Sequence, residues 1–150
     1  MKTLEEIIKQ EPIYLNDFGG KIDVISEFKG MYMSKKEYEA ESAPYKNKNM
    51  WLSKKAEMKT LLDSWEPIHI LLASYGTGSY EGDTFVLFER DGKLFEVNGS
   101  HCSCYGLENQ FDPEETSLEA LKHRLVEGKL GKDNYCGNEF SDELKQFLGI

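Results

Sequence analysis

Cysteine and arginine are scarce in this chain of 150 residues, which has three cysteines (Cys102, Cys104 and Cys136) and two arginines (Arg90 and Arg124). An odd cysteine count without a secretory context argues against a disulfide framework and leaves reduced thiols or metal ligands. The other sixteen basic residues are lysines, so the chain lacks the bidentate forks usual at specific nucleic-acid sites. No apolar run approaches the ~18 residues that would span a bilayer. The segment from Met1 to Glu6 is charged early and carries no apolar h-region, so no signal peptide is expected and a cytoplasmic location follows. There is no repeat, low-complexity tract or inter-domain linker, and a single domain over residues 1–150 is expected. No complete catalytic signature appears either.

Hydrophobic residues make up 39% and aromatic residues 12% of the chain, enough to argue against global disorder. The net charge of -9 is unevenly placed. Residues 1–60 hold 11 lysines against 10 acids, a balance of +1, whereas residues 61–150 hold 7 basic residues against 17 acids, a balance of -10. An acidic field of this kind repels phosphate backbones and favours contact with basic surfaces.

Patterning predicts an α+β fold, a small antiparallel sheet with helices before and after it. Leu4, Ile7 and Ile8 suggest a short helix ended by Pro12. Asp17 to Gly20 reads as a turn. Residues 21–28 fit a strand or two helical turns, with helix preferred. Lys35 to Glu41 reads as helix and Ala43 to Asn49 as loop. From Trp51 to Trp65, the residues Trp51, Leu52, Met58, Leu61, Leu62 and Trp65 gather on one side of a helix that Pro67 stops. The meander should run over about 67–75, 83–90 and 93–99, with Asp91-Gly92 as a type I′ turn. Phe85 and Leu87 alternate with Val86 and Phe88, so one set should face the core and the other a helix or partner. Asp112-Pro113-Glu114-Glu115 should open a helix through Leu118, Leu121 and Leu125, ended by Gly128 or Gly131. Asn138 or Ser141 should cap a last helix through Leu144, Phe147 and Leu148.

Four segments could carry chemistry. His101-Cys102-Ser103-Cys104 follows the third strand. On a continuing strand, Cys102 and Cys104 would share one face and could bind zinc with Cys136 and a histidine (His69, His101 or His123). Paired cysteines in structural zinc sites are usually spaced further apart, and buried free thiols are the plainer reading. A nucleophilic cysteine would need a histidine base and an orienting acid such as Asp112 or Glu108. Gly76 to Gly82 lacks the following helix and lysine of a phosphate cradle, and Glu81 and Asp83 would repel phosphate, so it reads as a connecting loop. Glu108, Asp112, Glu114, Glu115 and Glu119 crowd the expected helix start, either as a solvated face or as a docking surface. Trp51, Trp65 and Phe111 read as core.

Several motifs occur in order: Gly78-Ser79-Tyr80-Glu81-Gly82-Asp83, the hairpin Val86 to Asn98, Ser100-His101-Cys102-Ser103-Cys104-Tyr105-Gly106-Leu107-Glu108, and Phe111-Asp112-Pro113-Glu114-Glu115-Thr116. Over about residues 71–125 this set resembles an uncharacterised family of small proteins often encoded by bacteriophages and prophages. The resemblance implies no activity and no catalytic residue. It implies a phage or mobile-element setting, where small acidic proteins that bind and block host defence machinery, anti-CRISPR proteins among them, form one functional class.

The expectation is therefore a non-enzymatic binding protein, without cofactor, acting in the host cytoplasm. Its contact residues would be Glu81, Asp83, Glu108, Asp112, Glu114, Glu115 and Glu119, and its partner a basic surface on a nucleic-acid-handling host protein. The alternatives are a small zinc-binding or cysteine-dependent enzyme using His101, Cys102, Cys104 and Cys136, and a phage structural or housekeeping factor.

Overall fold

The apolar alternation of residues 81–102 builds the centre of the molecule, and helices cover both of its faces. The computed structural model describes residues 1–150 apart from Ser79, Ser103, Asn134, Tyr135 and Cys136. In chain order the elements are α1 (Leu4–Ile8), β1 (Ile13–Asn16), α2 (Lys21–Lys29), α3 (Lys35–Glu39), α4 (Lys48–Ser64), β2 (His69–Tyr75), β3 (Glu81–Arg90), β4 (Lys93–Cys102), β5 (Glu114–Thr116), α5 (Leu118–Val126), β6 (Lys132–Asp133), β7 (Asn138–Glu139) and α6 (Ser141–Leu148). The arrangement is α+β. Among the described residues, no helix is long and apolar enough to cross a membrane.

Strands β1 to β5 form one sheet in sequence order. The expected meander is its centre: β2 pairs antiparallel with β3, and β3 with β4. Asp91 and Gly92 both take positive φ, 53° and 79°, as a type I′ turn demands. They close a hairpin in which Arg90 faces Lys93 and Phe88 faces Phe95. Two further strands of this sheet lie outside the expected meander. β1 joins one edge parallel to β2, with Asn16 beside Tyr75, so the sheet is mixed. β5 joins the other edge, placing Glu114 opposite Glu96 and Glu115 opposite Phe95.

The pleat of β3 separates two cores. Val86 and Phe88 point to one face and pack with Val24, Phe28, Trp51 and Met58 from α2 and α4. Phe85 and Leu87 point to the other and pack with Ile7, Leu121, Leu125 and Leu144 from α1, α5 and α6. Both alternating sets are therefore covered by helices. In β2 the register slips between Ile70 and Leu72, so Leu71 is an inserted bulge residue. The slip lets Leu71 and Leu72 both enter the second core. Trp51 and Trp65 are buried in the first core and Phe111 packs against it. The indole Nε1 of Trp51 donates to the Glu37 carbonyl at 2.8 Å.

Several boundaries differ from the sequence pattern. α1 stops at Ile8, and Pro12 instead precedes β1. Leu52 is 46% exposed rather than facing the core, because α4 buries its inward stripe through Trp51 and Met58. Residues 112–117 do not open α5. Glu114 to Thr116 pair with the free edge of β4, which satisfies their backbone groups as a strand. The helix begins after Ser117, whose hydroxyl accepts the Ala120 N–H at 3.1 Å, a stronger N-terminal signal than the upstream acids. α5 ends at Val126, short of both Gly128 and Gly131. Neither expected cap serves α6: Phe140 occupies the cap position, Ser141 is the first helical residue, and Asn138 accepts the Ser74 hydroxyl at 2.6 Å.

Candidate functional site

One end of the sheet gathers the ends of β1, β2 and β4 and the start of β3. Chain direction requires this: β1 and β2 run in parallel to finish at Asn16 and Tyr75, while the first register pair of β3 joins Glu81 to Cys102. The residues just beyond, Asp17 and Gly76, therefore meet at the same edge as the loops following β4.

An open cleft of about 250 Å³ lies here, lined by Asp17, Asp23, Glu27, Tyr32, Glu37 and Tyr75 among others. Asp23 is structural: its carboxylate accepts the Gly19 N–H at 2.7 Å and the Lys35 N–H at 2.9 Å, tying two loops to α2. Glu27 is half-buried on α2. Burial raises its pKa, and the charges of Glu108, Asp17 and Asp23 raise it further. The Tyr75 phenol is pushed up to about 12, first by burial and then by Glu27, Asp17 and Glu108. It is a neutral hydroxyl at physiological pH. Tyr75 stacks on His101 with ring centroids 4.0 Å apart.

Glu108 forms the rim. Tyr32 donates its hydroxyl to Glu108 Oε1 at 3.1 Å. The Glu108 side chain lies close to Gly30 and Gly106, where an added Cβ would approach it to 2.9 Å. Tyr32 holds a positive φ of 53°, uncommon for a bulky residue, and is 76% exposed. Its hydroxyl also carries a raised pKa, owing first to the hydrogen bond with Glu108 and then to that residue's charge.

His101 and Cys102 are the last two residues of β4, where strand neighbours face opposite sides. β4 ends at Cys102, so Cys104 lies past the strand and is exposed, while Cys102 is half-buried. Cys102 Sγ accepts the Cys104 N–H at 3.2 Å. His101 is buried, with Nε2 2.8 Å from the Gly76 carbonyl oxygen. The expected Cys136 ligand lies outside the described residues. Among the described residues, no group of three His, Cys, Asp or Glu side chains is placed to hold a metal.

The predicted contact acids are spread over the molecule. Glu81 is exposed at the first pair of β3, and Asp83 lines a second cleft on the opposite face, with Asn98, Lys129 and Phe140. Glu114 and Glu115 lie on β5 and Glu119 on α5, all exposed. The pair Glu96–Glu114 is four positions along β4 from Ser100–Asp83, roughly 13 Å at strand rise. Asp112 is exposed between the two groups. Only Glu108 enters the carboxylate cleft region. Its neighbours Asp17, Glu27, Tyr32 and Tyr75 escaped the sequence reading because no spacing signals them. Parallel pairing of β1 with β2 brings Asp17 to Tyr75 across about sixty residues of chain, and α2 and the segment after it add Glu27 and Tyr32.

Comparisons with protein-family models, curated proteins and solved structures returned no match.

Proposed function

We propose that this chain is a non-enzymatic binding protein that occupies a basic surface of a nucleic-acid-handling protein. In the phage setting implied by the sequence resemblance, that target is a host defence protein, and the action is anti-CRISPR-like. One observation carries the reading: the acidic charge is left uncompensated at the surface. Among the described residues the acid–base contacts are the ion pairs Lys35–Glu39 and Arg124–Glu96 and a His69–Glu89 contact at 3.8 Å. None of them involves Asp17, Glu27, Glu108, Glu114, Glu115 or Glu119. Unpaired carboxylates of one sign accelerate encounter with basic surfaces and repel nucleic acid.

The test is capture of a partner from host lysate, followed by association and dissociation rates at increasing ionic strength. Exposed charges are screened beyond about 8 Å at physiological salt, so association should slow as salt rises. The double reversal Glu114→Lys with Glu115→Lys should slow association more than it speeds dissociation, as expected of steering charges at an interface rim. Both side chains are exposed on an edge strand, so the fold should tolerate the change. An acidic partner, or rates indifferent to salt and to reversal, would overturn the reading.

A further inference from the structure

Three tyrosines are exposed at the same end of the sheet: Tyr32 at 76%, Tyr80 at 80% and Tyr105 at 60%. Large side chains left bare together mark contact surfaces, and tyrosine is enriched at the centres of such surfaces. Their adjacency follows from the backbone. Tyr80 precedes Glu81, whose register partner is Cys102, and the Cys102 N–H donates to the Tyr105 carbonyl at 3.0 Å. Tyr80 and Tyr105 thus flank one end pair of the hairpin. Gly106, next to Tyr105, lies against the Glu108 carboxylate, which accepts the Tyr32 hydroxyl. The chain therefore brings the three tyrosines and Glu108 to one end of the sheet, where they form a rim, with Tyr32 lining the carboxylate cleft.

We infer that this rim is the contact centre, and that its occupant is an arginine-bearing protein segment. The inference rests on the binding reading above and adds the surface and the partner's chemistry. A guanidinium matches what the rim presents. Its plane stacks on tyrosine faces, and its paired N–H groups fork onto a carboxylate. Glu27 and Asp17 lie just inside, with no cation paired to them among the described residues, so an incoming guanidinium would supply the missing counter-charge. A lysine ammonium would satisfy charge but gain less from the rings. Nucleic acid would meet repulsion from the same carboxylates. The rim lies apart from β5, so charge steering by Glu114 and Glu115 and contact at the tyrosines are separable.

The experiment uses the full chain and two probes, an octa-arginine and an octa-lysine peptide, with backbone amide shifts followed by NMR at physiological salt. Shifts should concentrate at Tyr32, Tyr105 and Glu108, and octa-arginine should bind several-fold tighter than octa-lysine. Tyr80→Ala with Tyr105→Ala should weaken octa-arginine binding by ~5–20-fold, taking ~2–5-fold per exposed cation–π contact. Tyr105→Phe should retain most of the affinity, because the ring face is kept. Shifts centred on β5 and α5, equal affinity for both peptides, insensitivity to the tyrosine changes, or no binding of either peptide would each overturn the inference. With the captured partner the two ideas separate by rate: loss of the tyrosines should speed dissociation, whereas the Glu114 and Glu115 reversal should slow association. A partner that responds to reversal but not to tyrosine loss would keep the binding reading and remove this surface.

Discussion

Arg124 Nη1 donates to Glu96 Oε2 at 2.6 Å, and Asn98 Nδ2 donates to the other carboxylate oxygen at 3.1 Å. Glu96 is 6% exposed on the α5 face of β4, so α5 is fastened to the sheet through a buried carboxylate. Pairing and hydrogen bonding offset the desolvation of a buried carboxylate. One of the chain's two arginines is thus committed to the fold. The other, Arg90, lies over the Phe95 ring at 4.9 Å.

Arg124→Met should destabilise the protein by about 1–3 kcal/mol, the cost of leaving a buried acceptor without its strongest donor. Adding Glu96→Leu should recover much of the loss, because the uncompensated charge is then removed. Urea unfolding of wild type, the single variant and the double variant measures both. A single variant as stable as wild type would show that the pair contributes nothing.

Glu27 should make the protein less stable as pH rises. Its folded pKa lies above the ordinary carboxylate value, chiefly from burial, so the folded state holds the proton more tightly than the unfolded chain. Stability is then fully present below the unfolded value of ~4.3 and is lost as pH rises through the folded pKa. Glu27→Gln should therefore be more stable than wild type at pH 7, with the difference vanishing near pH 4. Tyr75, at about 12, carries the same sign in an alkaline window and should be among the last phenols to ionise in an ultraviolet titration. Chemical unfolding at several pH values checks the first claim, and an unchanged difference between pH 4 and 7 would refute it.

Gly82 has no room for a side chain. A Cβ there would lie 1.9 Å from the Gly76 carbonyl oxygen and 2.7 Å from His101 Nε2. Gly82→Ala should part the start of β3 from the turn after β2 and cost about 1–3 kcal/mol, typical of overpacking. Gly92 is the contrasting case, with open space around it but a φ of 79°. Gly92→Val should cost about 1 kcal/mol or more from backbone strain alone. Comparing the two by thermal unfolding separates steric from torsional cost, and NMR should show His101 shifted only by the first.

Ser117→Ala removes the hydroxyl that caps α5. The expected loss is about 1 kcal/mol, while replacing the acids Glu114 and Glu115 with glutamine should cost α5 far less. The reverse ranking would mean that the helix begins upstream, as the acid-rich sequence suggests.

The sequence by itself determined what depends on near neighbours. Asp91-Gly92 specified its hairpin because few other dipeptides accept positive φ twice. The alternation of Phe85 and Leu87 with Val86 and Phe88 required cover on both faces, since each set is too apolar for water. Trp51 and Trp65 were legible as core, and the charge balance of residues 61–150 as an acidic field. Of the residues at the sheet end, the sequence singled out Glu108, as part of an acid-rich stretch, and Glu81, beside a glycine-rich loop. Tertiary structure decided the rest, because the contacts join residues far apart in sequence. Ile13 to Asn16 became a strand only because β2 offered a parallel edge. Glu114 to Thr116 became a strand because the free edge of β4 satisfied their backbone groups, which outweighed a helical signal made of one proline and two acids. Asp17 and Tyr75 meet at one end of the sheet because β1 and β2 run in parallel, α2 and the segments after it and after β4 add Glu27, Tyr32 and Glu108, and no local pattern encodes that meeting.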